Sequence, residues 1–311
     1  MVGLPRADTG NLIATCQASA ITDGIRLTRD EAGIAHLFFV VAFFGGEWAV
    51  IRELNNTTAV DNTVDKAHTL SGEPNLGFFS MNEMNAYGNG QATMQRCFGM
   101  FTNVSDTIVQ RAMAMFATGN PTLLGAQVRT DRVAMSMDAA GAVDTAVEIT
   151  AIDATNVTFT VRDSGTTADT WGGLVGLIDE TVELVTQDSP DNASAVWNVN
   201  AASETPQAVI GMMNNITAVD TAKANDEGNP FAIYAVDDLG NEYSASWYSE
   251  DGAGSGGSPS LTIERDSLNA NMVAMTDVAD TEDYEWQNLT FTSDGFDVSD
   301  ANNITNNGCS I

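Results

Sequence analysis

The chain has 311 residues, with 42 Asp plus Glu against 12 Lys plus Arg, a formal net charge of −30. Hydrophobic residues make up 43%, enough for packed cores, which excludes wholesale disorder. A field of that sign repels phosphate, so a nucleic-acid partner is excluded and an anionic membrane surface is disfavoured.

Lys66 and Lys223 are the only lysines, so ten of the twelve basic residues are Arg. Acidic, Lys-poor surfaces stay soluble where salt screens their self-repulsion, which points to a marine or halophilic setting. The N-terminal stretch MVGLPRADTGNLIATC has neither the basic nor the apolar region of a secretory signal, so export by the general secretory route is not expected. ITDGIRL (Ile21 to Leu27) puts a turn before an alternating strand. LFFVVAFFGG (Leu37 to Gly46) is far short of the roughly 20 residues of a membrane helix and is expected as a core strand, without membrane insertion. NNTTAVDNTVDKAH (Asn55 to His68) is expected as loop. TIVQRAMAMFA (Thr107 to Ala117) has helix-favouring Ala and Met. Its counterpart further on, EYSASWY, alternates like a strand, so both are assigned as strands.

VEITAIDATNVTFTVRD (Val147 to Asp163) alternates around a turn at Asp153-Ala154-Thr155, the pattern of a β-hairpin. FAIYAV and EYSASWY flank DLGNEY, where Gly240 and Asn241 can take positive φ. AVIGMMN, SLTIERD and EWQNLTF continue the β pattern, with strands every 8 to 14 residues.

Internal repeats organise these elements. SGEPNLGFFSMN (Ser71 to Asn82) recurs as SETPQAVIGMMN (Ser203 to Asn214), pairing Pro74 with Pro206 at an offset of 132. Val133-Ala134-Met135 recurs as Val273-Ala274-Met275 at an offset of 140, the longer Gly/Ser stretch at Ser249 to Pro259 accounting for most of the difference. ITDGIRL, ATNVTFTV and TSDGFDV are three versions of one turn-strand motif, Ile25 matching Val157 at 132 and Val157 matching Phe296 at 139. The fold class is therefore all-β: two tandem duplicated β-sandwich, jelly-roll-like domains in a permuted repeat. The expected units are residues 1–143, residues 144–283, and a partial third repeat strand with tail over residues 284–311, this last strand completing a sheet begun elsewhere.

Chemistry is sparse. A nucleophile needs a poised histidine, but His36 and His68 have no histidine counterpart at the repeat offset, falling on Ala168 and Asn200. With 42 acids, paired carboxylates have no specificity as an acid–base signal. The acidic loops Asp188 to Asn192, Asp237 to Glu242 and Asp277 to Asp283 lack EF-hand spacing. Gly88 to Gln95 has glycines without a phosphate-loop lysine. Cys16, Cys97 and Cys309 form neither a disulfide framework nor a zinc motif. No catalytic, cofactor or metal residues are expected. The best candidate for an exposed aromatic contact is Trp247-Tyr248, ahead of the Gly/Ser loop. Thirteen methionines fit adaptable packing or contact surfaces.

The succession Pro206-Gln207-Ala208-Val209-Ile210, small-residue strands and Asp294-Gly295-Phe296, with Pro74 to Phe78 and Asp23-Gly24-Ile25 as parallels, resembles tailed-bacteriophage virion structural proteins of the tail and fibre type. This chain lacks the Gly-Phe that precedes the proline in that family, and its middle copy lacks the Asp-Gly. The resemblance implies a non-enzymatic virion protein, made in the host cytoplasm and located in the virion, either a tail or fibre adhesin or a head decoration component. Its expected partners are other virion proteins, with a homo-oligomer and a host-surface receptor or glycan also left open. An exported cell-surface adhesin or carbohydrate-binding module is the alternative.

Overall fold

The computed structural model describes residues 2–5, 12–21, 24–29, 45–53, 59–82, 94–119, 122–137, 142–165, 170–188, 196–200, 202–214, 216, 219–221, 223–224, 231–249, 261–268, 273–276, 282–302 and 309–310. Every regular element among them is a β-strand, and all pairings are antiparallel. The N-terminal strands β1 (Val2–Pro5), β2 (Leu12–Ile21) and β3 (Gly24–Arg29) form a three-stranded meander. Residues 37–44, the expected apolar core strand, and His36 lie outside the described residues.

The first sandwich opens with β4 (Glu47–Glu53), β5 (Thr63–Ala67) and β6 (Leu76–Asn82). It continues through β7 (Met94–Val104), β8 (Thr107–Gly119), β9 (Thr122–Arg129) and β10 (Ala134–Met137). It closes with β11 (Val143–Ile152), β12 (Asn156–Asp163) and β13 (Thr170–Leu177). One sheet has the order β9-β8-β7-β6-β13-β4, and the other β10-β11-β12-β5. The second sandwich uses β14 (Gln187–Asp188), β15 (Val196–Val199), β16 (Val209–Asn214), β18 (Phe231–Val236) and β19 (Glu242–Ser249). To these it adds β20 (Leu261–Leu268), β21 (Val273–Thr276), β22 (Glu282–Thr292), β23 (Gly295–Asn302) and β24 (Cys309–Ser310). Its sheets run β20-β19-β18-β16-β24-β14 and β21-β22-β23-β15. The two sandwiches thus have one strand order: in the first, the meanders β6–β9 and β10–β12 are closed by β13, inserted between β6 and β4, and by β5 beside β12, and the second repeats this order. The short strand β17 (Lys223–Ala224) crosses from the second half to extend the first large sheet at β9.

Side-chain alternation turns these sheets into four layers. In β8, Ala112, Ala114 and Phe116 face the small sheet, joining Val147, Ile149 and Phe159 in one core. Met113 and Met115 face the other way and meet Met212 and Phe231 of the second sandwich. In β18, Ala232, Tyr234 and Val236 then pack on Trp286, Phe296 and Val298 of the outermost sheet. Both large sheets are therefore buried on both faces, and such strands read as unbroken apolar runs. That is why the Met- and Ala-rich β8 carries a helical signature in sequence. Met100, Met113, Met115 and Met212 all lie in the layer between the sandwiches, where unbranched side chains fill an irregular gap.

Both units use the same polar device. Gln110 on β8 is buried; its Nε2 donates to the Ile149 carbonyl at 3.1 Å and its Oε1 accepts from the Ile149 N–H at 2.9 Å. It thereby mimics a neighbouring peptide where β11 bulges between Ile149 and Ala151. On β19, 132 residues later, buried Glu242 accepts the Leu289 N–H, where β22 bulges between Gln287 and Thr290. Bulges leave ladder groups unpaired, and an unpaired buried amide costs about 1–3 kcal/mol.

Several expectations change. The presumed loop at Asn55 to His68 contains β5, which pairs with β12 and sits at an edge with a mostly exposed, polar pattern. The first core runs from Ala49 to Val175, across residue 143. Strands β22 and β23, at the proposed partial third repeat, belong to the second sandwich, and β24 pairs with β14 and β16 there rather than linking the sandwiches. Of the two residues at the β18–β19 turn expected to be able to take positive φ, Gly240 does (+78°) and Asn241 does not.

Candidate functional site

The sequence candidates are dispersed. Trp247 pairs with Phe231 across the β18–β19 ladder, and Tyr248 follows a bulge against β20; their side chains lie outside the described residues. Asp237 of the acidic turn spends its carboxylate locally, accepting from the N–H groups of Leu239 and Asn241 and from Asn241 Nδ2 at 2.8–3.0 Å. Those bonds, led by Asn241, hold it below the usual carboxylate range. Asp153 caps the β11–β12 turn in the same way and is lowered by the Thr155 hydroxyl, then by the N–H groups of Thr155 and Asn156. His68 braces that turn: its backbone N–H donates to Thr155, and its Nε2 lies 3.1 Å from the Asp153 carbonyl. Among the described residues no three His, Cys, Asp or Glu side chains converge to hold a metal. Cys97 is fully buried, and burial pushes its thiol up to about 12 despite the Met135 N–H.

Charged side chains are likewise used in bracing. Arg162 joins Glu148 to Asp61, tying β12 to β11 and to the residues before β5. Arg129 pairs with Asp131 and Asp220, so the turn before β17 is fastened to the edge of the first large sheet. Burial pushes Asp131 upward, but the Arg129 hydrogen bond and the charges of Arg132 and Arg129 outweigh it and hold the carboxyl low.

A cleft of about 750 Å³ lies at the seam between the sandwiches, within the range of small-ligand sites. Its floor comes from β6 and β7 on one side and from β16, β18 and β23 on the other, with Phe78, Phe101, Tyr234 and Phe296 as the aromatic part. The connection after β13 and the segment before β16 supply the rim, which carries Asp179, Glu180, Glu183 and Glu204. Both oxygens of Glu183 accept the Ser203 N–H at 3.0 Å, closing one segment on the other. Trp48 stands at the mouth, its Nε1 donating to the Gly45 carbonyl, and its ring covers Gly176 so closely that a Cβ there would fall 2.6 Å from it. Among the described residues, no Lys, Arg, His or Cys lines the cleft. An apolar trough under an acidic rim rejects anions and offers acceptors to hydroxyl or cationic groups.

Sequence reasoning passed over this cleft because its walls come from seven separate stretches. The one local signal is the acidic run Ile178 to Glu183, directly after β13. No helix among the described residues is long and apolar enough to cross a membrane. Comparison with protein-family models, with curated proteins and with solved structures finds no match to this chain.

Proposed function

We propose that this protein is a non-enzymatic virion structural protein of a marine or halophilic tailed phage, serving as a tail or fibre adhesin or a head decoration component. The observation that carries this reading is the four-layer β stack with one strand order used twice. A scaffold of this kind, with its polar side chains used in turns and braces, suits a rigid block that presents loops to neighbouring subunits or a receptor. Duplication of one unit accounts for the shared order and for the offsets of 132 and 140. The acidic, Lys-poor surface suits high salt. Mass spectrometry of purified particles, with antibody labelling in electron microscopy, tests the proposal. Its absence from particles produced by cells that express it overturns the reading.

The cleft favours a second reading, an exported adhesin or carbohydrate-binding module. Trp48 and the rim acids offer a ring face and acceptors of the kind that bind sugars. Glycan-array binding lost on Trp48→Ala supports it; no binding to any glycan removes it.

A further inference from the structure

The two large sheets differ at one place. In the first, β13 lies between β6 and β4 and pairs with both from Trp171 to Gly176. In the second, β24 holds the corresponding place between β16 and β14, Cys309 facing Asn214 as Thr170 faces Asn82. Its two residues match Thr170 and Trp171 only: Ser310 pairs with Met213 and Gln187, as Trp171 pairs with Met81 and Glu53. Among the described residues no strand matches Gly172–Leu177, so Val209, Ile210, Gly211 and Met212 of β16 pair with β18 alone. The cleft follows that stretch, walled by residues 204–210 on one side and 178–185 on the other. These walls are fastened as in the first sandwich: Glu183 accepts the Ser203 N–H, as Glu47 at the start of β4 accepts that of Ser71. Val199, Val209, Tyr234 and Phe296, all turned to the inside of the second sandwich, line the cleft where the first sandwich buries Val175 of β13.

We infer that the cleft takes an extended segment of a partner protein as an added β-strand. It runs antiparallel to β16, in line with β24, and completes the second large sheet as β13 completes the first. The first sandwich shows the chemistry such a strand needs. Gly172–Leu177 reads GGLVGL, with Val175 turned into the core and Leu174, by alternation, to the opposite face. Its glycines admit close neighbours: a Cβ at Gly173 would stand 2.4 Å from the Phe78 carbonyl oxygen. Charge adds one requirement. Among the described residues no ion pair engages Asp179, Glu180 or Glu204 at the rim, so the entering strand carries Lys or Arg beside its small and apolar residues, and no acid. The inference holds whether or not the protein resides in a virion, and it competes with a sugar for the same cleft.

Fluorescence anisotropy of a labelled peptide, GGLVGLKK, titrated with the full chain tests it, and hydrogen exchange read by mass spectrometry places the binding. Expected are saturation at one peptide per chain with a Kd below about 100 μM, and slower exchange over residues 183–186 and 208–212. A peptide with Pro-Pro in place of its Leu-Val lacks two N–H groups and should bind at least about 10-fold more weakly. Glu180→Lys combined with Glu204→Lys should weaken binding of the first peptide about 5-fold without changing thermal stability, since both residues are exposed. Five results overturn the inference: no saturable binding at about 1 mM peptide, equal binding of the proline peptide, undiminished binding by the double variant, slower exchange only outside those two stretches, or a glycan that occupies the cleft while the peptide does not.

Discussion

Gly99→Ala places one methyl group where β10 begins to cross β7. A Cβ at residue 99 would stand 1.7 Å from the Val133 carbonyl oxygen, 2.6 Å from its carbon and 3.1 Å from the Arg111 carbonyl oxygen. An ordinary C···O contact is about 3.3 Å, so the two strands must part by about 1.6 Å. All three atoms are backbone, so no side chain can swing aside. Val133 is fully buried, and its N–H donates to the Val147 carbonyl at 2.9 Å. Overpacking by one carbon costs about 1–3 kcal/mol, and weakening that hydrogen bond about 1 kcal/mol more. Ala's better strand entropy returns about 0.5 kcal/mol, leaving a net loss of about 1.5–3.5 kcal/mol. Gly45→Ala is the control: nothing lies within 4 Å, and only its φ of +84° penalises the change, by about 1 kcal/mol. Urea unfolding followed by tryptophan fluorescence reads both variants. If Gly99→Ala costs no more than Gly45→Ala, β10 does not cross β7 this closely and the reasoning fails.

Gln110→Leu strands the buried N–H and carbonyl of Ile149 and is expected to cost about 2–4 kcal/mol in urea unfolding; a change within error would show that water reaches the bulge. Met113→Ala opens a cavity in the shared layer and is expected to cost about 2–5 kcal/mol, with hydrogen exchange accelerating in both sandwiches. Faster exchange confined to the first would show that the layer does not couple them. Glu47 is held low by Ser71, first through the hydroxyl and then the N–H, and Asp153 and Asp237 are held low by their turns. Their contribution is complete above the ordinary carboxylate range near pH 4 and lost as the pH falls through their lower folded values. In 1 M NaCl, which screens general repulsion, thermal stability should therefore drop on acidification below about pH 4, and less steeply in Asp153→Asn. Cys97 should resist iodoacetamide at pH 8 in the folded protein and react once urea unfolds it, as peptide mass spectrometry would record.

Much of this molecule is written locally. Alternation with β-formers marked the β11–β12 hairpin, and Asp153 and Gly240 marked its turn and the β18–β19 turn, because strand and turn preferences act over a few residues. The repeated motifs mark segments that occupy matching places in the two strand orders. Strand β5 escaped notice because an exposed edge strand needs no apolar face. Which sheet faces which, where one unit ends, and the cleft that brings Trp48 toward Glu180 and Phe296 are decided only by packing between distant segments. A sheet buried on both faces, as β8 is, loses the polar alternation that would announce its orientation, so its second partner becomes visible only when the layers are stacked.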